Sequence, residues 1–297
     1  MQTRLRTPPA LAGVDVDHEF REVNGVGLHV VAAGDPADPL VVLLHGFPEF
    51  WYGWHRQIAP LVAAGYRVLV PDQRGYNRSG KPAGVRPYRL TELSRDVVEL
   101  IRSDGYESAH IVGHDWGAFV AWDLALRHPE RVDRLGVVNV PHPTVFRRTL
   151  LRNREQLRRS WYAFAFQLPF VPEWAAARDD FSLWVRLLAG SVPDGTFTEA
   201  DFDRYRRAWS HPRTARSMIN WYRAVPRYPR LPPRERVTAP TLIVWGEQDE
   251  ALVPEMAPES RSYCDDGRLE RFPNAGHFVT HERPDAVADL LVDHLDG

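Results

Sequence analysis

The chain of 297 residues has one cysteine (Cys264), one lysine (Lys81) and three methionines. A lone cysteine excludes an internal disulfide framework and fits a reducing compartment, so a cytoplasmic setting is expected. No stretch approaches the ~20 consecutive apolar residues that a membrane span requires. The opening residues, MQTRLRTPPALAGVDVDHEFREVNGVGLHV, hold no long apolar run, so no secretory leader is expected. Excess charge of one sign is missing too. A formal charge of −2 offers no electrostatic case for nucleic acid or for an anionic membrane surface. The near-absence of lysine beside 36 arginines reads as the coding bias of a GC-rich, bacterial genome, not as an anion-binding device. There is no internal repeat and no low-complexity tract.

The composition, 44% hydrophobic and 26% charged, is that of a globular protein. A chain this long buries about three quarters of its unfolded surface and needs neither disulfide nor metal for stability. Its pattern alternates short apolar runs with helical spacing. An Asn24-Gly25 turn predicts a hairpin within 21–30. Strands are expected at 40–45, 66–71, 108–113, 132–140, 241–246 and 268–272, and helices at 54–64, 91–103, 118–127 and 283–295, with Thr91 a candidate N-cap. This alternation predicts an α/β fold with a mostly parallel sheet covered on both faces. The exception is 141–233, rich in Arg, Trp and helical spacing. It reads as a helical insertion into a core made of 1–140 and 234–297.

Chemistry concentrates at Gly113-His114-Asp115-Trp116-Gly117. A strand enters, a helix leaves, and glycines flank a five-residue turn, the layout of a nucleophile elbow. Taken alone, the segment is equally a strand-to-helix turn with an Asp favoured by the helix dipole. Three further segments tilt the reading. His45-Gly46-Phe47-Pro48-Glu49 follows an early strand, where a backbone N–H can join the one after the nucleophile in an anion hole, which assigns the donors to Phe47 and Trp116. Val244-Trp245-Gly246-Glu247-Gln248-Asp249 ends a late strand with an acid, and Asn274-Ala275-Gly276-His277 precedes the last helix.

With these motifs the sequence resembles the α/β-hydrolases of the epoxide hydrolase family from about residue 18 onward. HGFPE (45–49), DQRGYNRSGKP (72–82), GHDWGA (113–118), WGEQD (245–249) and GH (276–277) carry the resemblance. It implies an eight-stranded, mostly parallel sheet with helices on both faces and an inserted helical cap. It also implies two cap tyrosines over the nucleophile: Tyr162, in Tyr162-Ala163-Phe164-Ala165-Phe166-Gln167-Leu168-Pro169, and Tyr222, in Asn220-Trp221-Tyr222-Arg223.

The residue types suit that chemistry. An aspartate is already ionised at neutral pH and can form an ester with a saturated carbon. The departing epoxide oxygen is a poor leaving group, which phenols can stabilise. The expected machinery is Asp115 as nucleophile, His277 as base, Asp249 as its partner, and Tyr162 and Tyr222 on the oxygen. Phe47 and Trp116 also line the site of a small apolar epoxide. No cofactor and no metal are expected: His277 and His281 stand four apart, but no Glu follows the first. Glu49 either positions water, as in some relatives, or caps the next helix. His45 and His114 are read as loop and packing residues. The Phe47–Pro48 bond is a candidate cis peptide of the family's loop, and Cys264 a thiol with its pKa raised by Asp265 and Asp266. The Arg-rich runs read as solvated helix faces, and most of the tryptophans in and before the insertion as packing residues.

Two alternatives remain open. A haloalkane dehalogenase would use the same Asp115, His277 and Asp249, although Phe47 stands where Asn often holds the halide in that group. A non-catalytic binding protein on the same scaffold is the other. Oligomeric state is not legible.

Overall fold

The computed structural model describes residues 8–297. Eight strands form one sheet in the order β1-β2-β4-β3-β5-β6-β7-β8. β1 (Val16–Val23) and β2 (Val26–Ala33) are the expected hairpin. Its turn places Asn24 and Gly25 at φ +47° and +72°, the left-handed geometry that Asn-Gly favours. β1 to β2 and β2 to β4 are antiparallel, and every later pairing is parallel.

β3 (Leu40–Leu44), β4 (Arg67–Pro71) and β7 (Thr241–Gly246) are buried at every residue. That explains their continuous apolar runs: a parallel strand covered on both faces has no solvent side to mark by alternation. β5 (Ala109–His114), β6 (Val132–Val138) and β8 (Gly267–Phe272) complete the sheet. Among the covering helices, α1 (His55–Ala63) packs with the C-terminal helix Pro284–Asp296, and α2 (Leu90–Ser103) with α3 (Trp116–Arg127). The proposed cap of α2 is corrected. The helix begins at Leu90, one residue before Thr91, and its N-cap, Arg89, makes no side-chain capping bond.

Between β6 and β7 the chain runs through seven helices and no strand: α4 (Pro143–Arg152), α5 (Arg154–Arg159), α6 (Trp161–Ala165), α7 (Val171–Ala177), α8 (Ser182–Gly190), α9 (Glu199–Ser210) and α10 (Thr214–Arg227). After β7 come α11 (Met256–Arg261), α12 (Val279–Glu282) and α13 (Pro284–Asp296). Among the described residues no helix is long and apolar enough to cross a membrane.

Candidate active site

Asp115 sits on the turn from β5 into α3 with φ +50° and ψ −122°. A non-glycine residue at that φ is strained and persists only where its surroundings impose it. The flanking glycines show what imposes it. A Cβ on Gly113 would collide with the backbone of Gly117, and one on Gly117 with the carbonyl of Leu44 at the end of β3. The Asp115 side chain does not cap its own helix; it turns toward Gly46, where a Cβ would strike it.

Asp249 lies three residues beyond β7 and is buried. Its Oδ1 accepts from the N–H groups of Ala251 (2.7 Å) and Leu252 (2.9 Å). Its Oδ2 pairs with Nδ1 of His277 at 2.7 Å and accepts from Nδ2 of Asn139 at 2.8 Å. Burial works against the Asp249 charge, but His277, Asn139 and the backbone donors prevail and hold its pKa below the usual range. The other imidazole nitrogen, Nε2, stands 3.5 Å from Oδ2 of Asp115. Burial likewise opposes a charge on His277; the carboxylates of Asp249 and Asp115 outweigh it and lift its pKa well above 6.5.

The second carboxylate oxygen of Asp115, Oδ1, accepts the N–H of Phe47 at 2.6 Å, across the cis Phe47–Pro48 loop. Trp116 is the first residue of α3, where a backbone N–H has no partner within the helix. Over this pair stands an aromatic cluster drawn from the insertion. The Tyr162 and Tyr222 rings meet edge to face at 5.9 Å; Tyr222 also meets Trp116 at 4.9 Å and Phe47 at 5.4 Å. Burial, then the nearby charge of Asp115, pushes both phenols above their ordinary pKa, so they are protonated donors at neutral pH. Residues from six separate segments (Phe47, Asp115–Trp116, Tyr162, Tyr222, Asp249 and His277) thus come together.

Residues 39–284 match the α/β-hydrolase fold family. The chain is 42% identical over 277 residues to the AB hydrolase superfamily protein YfhM of Bacillus subtilis, spanning 93% of this chain and 97% of that one. It is 37% identical to epoxide hydrolase 4 of Mus musculus, over 90% of this chain and 76% of the relative. A solved epoxide hydrolase from Bacillus megaterium, complexed with its product (R)-3-[1]naphthyloxy-propane-1,2-diol, superposes with a TM-score of 0.87. It is 32% identical, with 94% of this chain and 100% of that one covered. This chain belongs to the epoxide hydrolase family.

Within this epoxide hydrolase family member, several side chains take places that local motifs did not indicate. Glu49 is buried and does not cap the following turn. Its Oε1 pairs with Nε2 of His281 (2.7 Å) and accepts the hydroxyl of Tyr205 in α9 (2.8 Å), and Oε2 lies 3.2 Å from Nδ1 of His114. Burial raises the Glu49 pKa, yet His281 and His114 outweigh it and hold it well below the usual value. His114 continues to the His277 carbonyl through Nε2 at 2.9 Å, and His45 accepts the Gln73 N–H at 3.0 Å, tying two loops together.

Sequence reasoning missed Asn139, His281 as a partner of Glu49, Tyr205 and Trp209. Asn139 alone left a signal, a polar residue closing the apolar run of β6; it has φ +51° and accepts the Gly246 N–H at 2.8 Å. The Cys264 pKa is raised to about 11 as expected in direction, but burial is the main cause and the neighbouring aspartates are secondary. Of the tryptophans, Trp54, Trp184, Trp209 and Trp221 are buried, whereas Trp161 and Trp174 stand out into solvent.

Proposed function

We propose that this chain adds water to an apolar epoxide to give a vicinal diol through an ester on Asp115. Residues 141–233 act as a cap on a core formed by 1–140 and 234–297. The observation that supports this reading most directly is that Asp115 offers one oxygen to the Phe47 N–H and the other to His277, beneath the paired rings of Tyr162 and Tyr222.

The two oxygens take different roles. Oδ2, free of backbone donors, attacks a ring carbon from the side opposite the C–O bond, and Tyr162 and Tyr222 hydrogen-bond the ring oxygen and supply its proton as the bond breaks. Oδ1, already in the hole, becomes the ester carbonyl. His277, with Nδ1–H held by Asp249, takes a proton from water at Nε2. The hydroxide adds to the carbonyl carbon, and the N–H groups of Phe47 and Trp116 hold the oxyanion on Oδ1. The C–Oδ2 bond then breaks. Oδ2 leaves with the diol, protons return to the leaving oxygen and to the tyrosine, and the water oxygen remains on Asp115.

Charge times these steps. In the resting site the Asp115 carboxylate helps keep His277 protonated. Ester formation removes that charge, the imidazole pKa falls, and His277 releases its Nε2 proton to solvent and becomes a base when a base is needed; it takes a proton back from solvent once the Asp115 carboxylate is restored. The scheme draws on side chains and backbone alone. Phe47 and Trp116 line the apolar part of the site, and Glu49 acts behind it through His114. A cytoplasmic setting fits the buried, unpaired thiol of Cys264.

A single turnover in ¹⁸O-water with enzyme in excess tests the route. The diol is expected unlabelled, and after many turnovers Asp115 carries ¹⁸O. Label in the first diol means direct attack of water on the epoxide and overturns the ester. Styrene oxide set against chloro- and bromoalkanes separates diol formation from halide release, and Asp115→Ala is expected to abolish turnover, which a binding protein would not possess.

A further inference from the structure

The outer side of the inserted helices carries a feature that the reaction does not use. Trp161, Phe170 and Trp174 are 68%, 68% and 63% exposed, and Phe164, Leu168 and Val171 are exposed among them. These residues lie within fourteen consecutive positions. The Trp174 N–H bonds to the Phe170 carbonyl at 3.0 Å, so Phe170 leads directly into the first turn of α7. On α6, Tyr162 and Phe166 pack against Tyr222 while Trp161 and Phe164 face solvent. One short helix therefore serves the site with one side and water with the other. Exposed large apolar side chains gathered in one segment, unlike single scattered ones, mark an interaction surface.

Charge indicates the partner. The formal charge of −2 hides a segregation: residues 141–233 hold 16 arginines and 8 acids, for a net +8, and the remainder is −10. Beside the patch Arg158 and Arg178 are exposed, Arg178 pairs with the exposed Asp179 at 3.4 Å next to exposed Asp180, and Glu173 is engaged by Arg223 at 2.5 Å. Arg178 lies over Trp174 (5.2 Å) and Arg216 over Phe170 (5.5 Å), so the cations stand at the rim of the aromatics.

We infer that this face of the insertion docks on an anionic lipid bilayer, with the aromatics entering the headgroup region and the arginines meeting the lipid phosphates. Aromatic and aliphatic side chains flanked by arginine form the signature of a surface that lies in a membrane interface without crossing it. A second copy of the chain fits less well. A two-fold interface brings a patch onto itself, and here that sets one arginine rim against another.

The full-length protein floated with vesicles provides the test. It is expected to float with phosphatidylcholine mixed with phosphatidylglycerol, and not with phosphatidylcholine alone. Each arginine near such a surface contributes about fivefold in binding, so Arg178→Glu with Arg216→Glu, the two cations over the exposed rings, is expected to weaken it at least tenfold. Phe170→Ser with Trp174→Ser is expected to abolish it, with the cooperative melt retained. Failure to float with the anionic vesicles, or unchanged flotation of the Ser variant, overturns the inference. So does a dimer in sedimentation velocity that the same Ser substitutions dissociate. Hydrolysis of water-dissolved styrene oxide, expected unchanged in both variants, reads the catalytic proposal separately.

Discussion

Tyr205 in α9 donates its hydroxyl to Oε1 of Glu49 at 2.8 Å, a fully buried bond between the insertion and the loop that carries Phe47. Four residues later in the same helix, Trp209 donates Nε1–H to the Pro48 carbonyl at 2.6 Å, and Tyr52 donates to Asp201 of α9 at 2.5 Å. Residues 48–52, directly after Phe47, are therefore tied to α9 by three hydrogen bonds.

Tyr205→Phe is expected to destabilise the fold by about 1–3 kcal/mol, because it removes one donor from a buried carboxylate that keeps its charge. Trp209→Phe leaves the Pro48 carbonyl without that partner and is expected to cost a similar amount. Since both act on one loop, thermal melts of the two single variants and the double variant should show non-additive losses.

On the proposed route His277→Gln is expected to separate the two chemical steps, because alkylation of Asp115 does not need the base, whereas hydrolysis does. With a terminal epoxide the intact mass of this variant is expected to rise by one epoxide per chain and stay raised. Asp115→Ala should take up no adduct. An unmodified His277→Gln protein that nonetheless binds the epoxide would place the base in the first step.

Tyr162→Phe and Tyr222→Phe are each expected to slow ester formation by on the order of 10²-fold, within the usual range for a positioned proton donor. Loss of both should be more severe than loss of either. Ester breakdown is expected to change little. Trp116, in ring contact with Tyr222, should report both phases through intrinsic fluorescence in stopped flow.

The His277 pKa is raised in the folded state well above 6.5. A group shifted in this direction adds stability that is complete below the unfolded value and is lost as pH rises through the folded one. The melting temperature of the wild-type protein relative to His277→Gln should therefore fall as pH is raised from about 6 upward. Asp249 and Glu49, both lowered, act in the opposite sense: the stability they contribute is lost on acidification below the carboxylate range.

Much of the core was legible because its signals are local. The apolar run of β3, the Asn24-Gly25 turn and the glycines around Asp115 each answer to a constraint acting within a few residues. The Thr91 cap failed for a related reason. A Thr near a helix start is only a weak marker when the first turn is fixed by packing instead. Glu49 could not be read at all, since its partners His281, His114 and Tyr205 lie 232, 65 and 156 positions away.

Sequence alone determined the order of strands and helices, the strained elbow at Asp115 and the presence of a helical insertion, because periodicity and turn chemistry act between near neighbours. Long-range packing set Asn139 against Asp249, closed α9 onto the loop after Phe47, and turned Tyr162 and Trp161, adjacent in the chain, toward the Asp115 side and the solvent. Those outcomes depend on how distant surfaces pack and on which buried polar groups must find each other, and no local pattern encodes them.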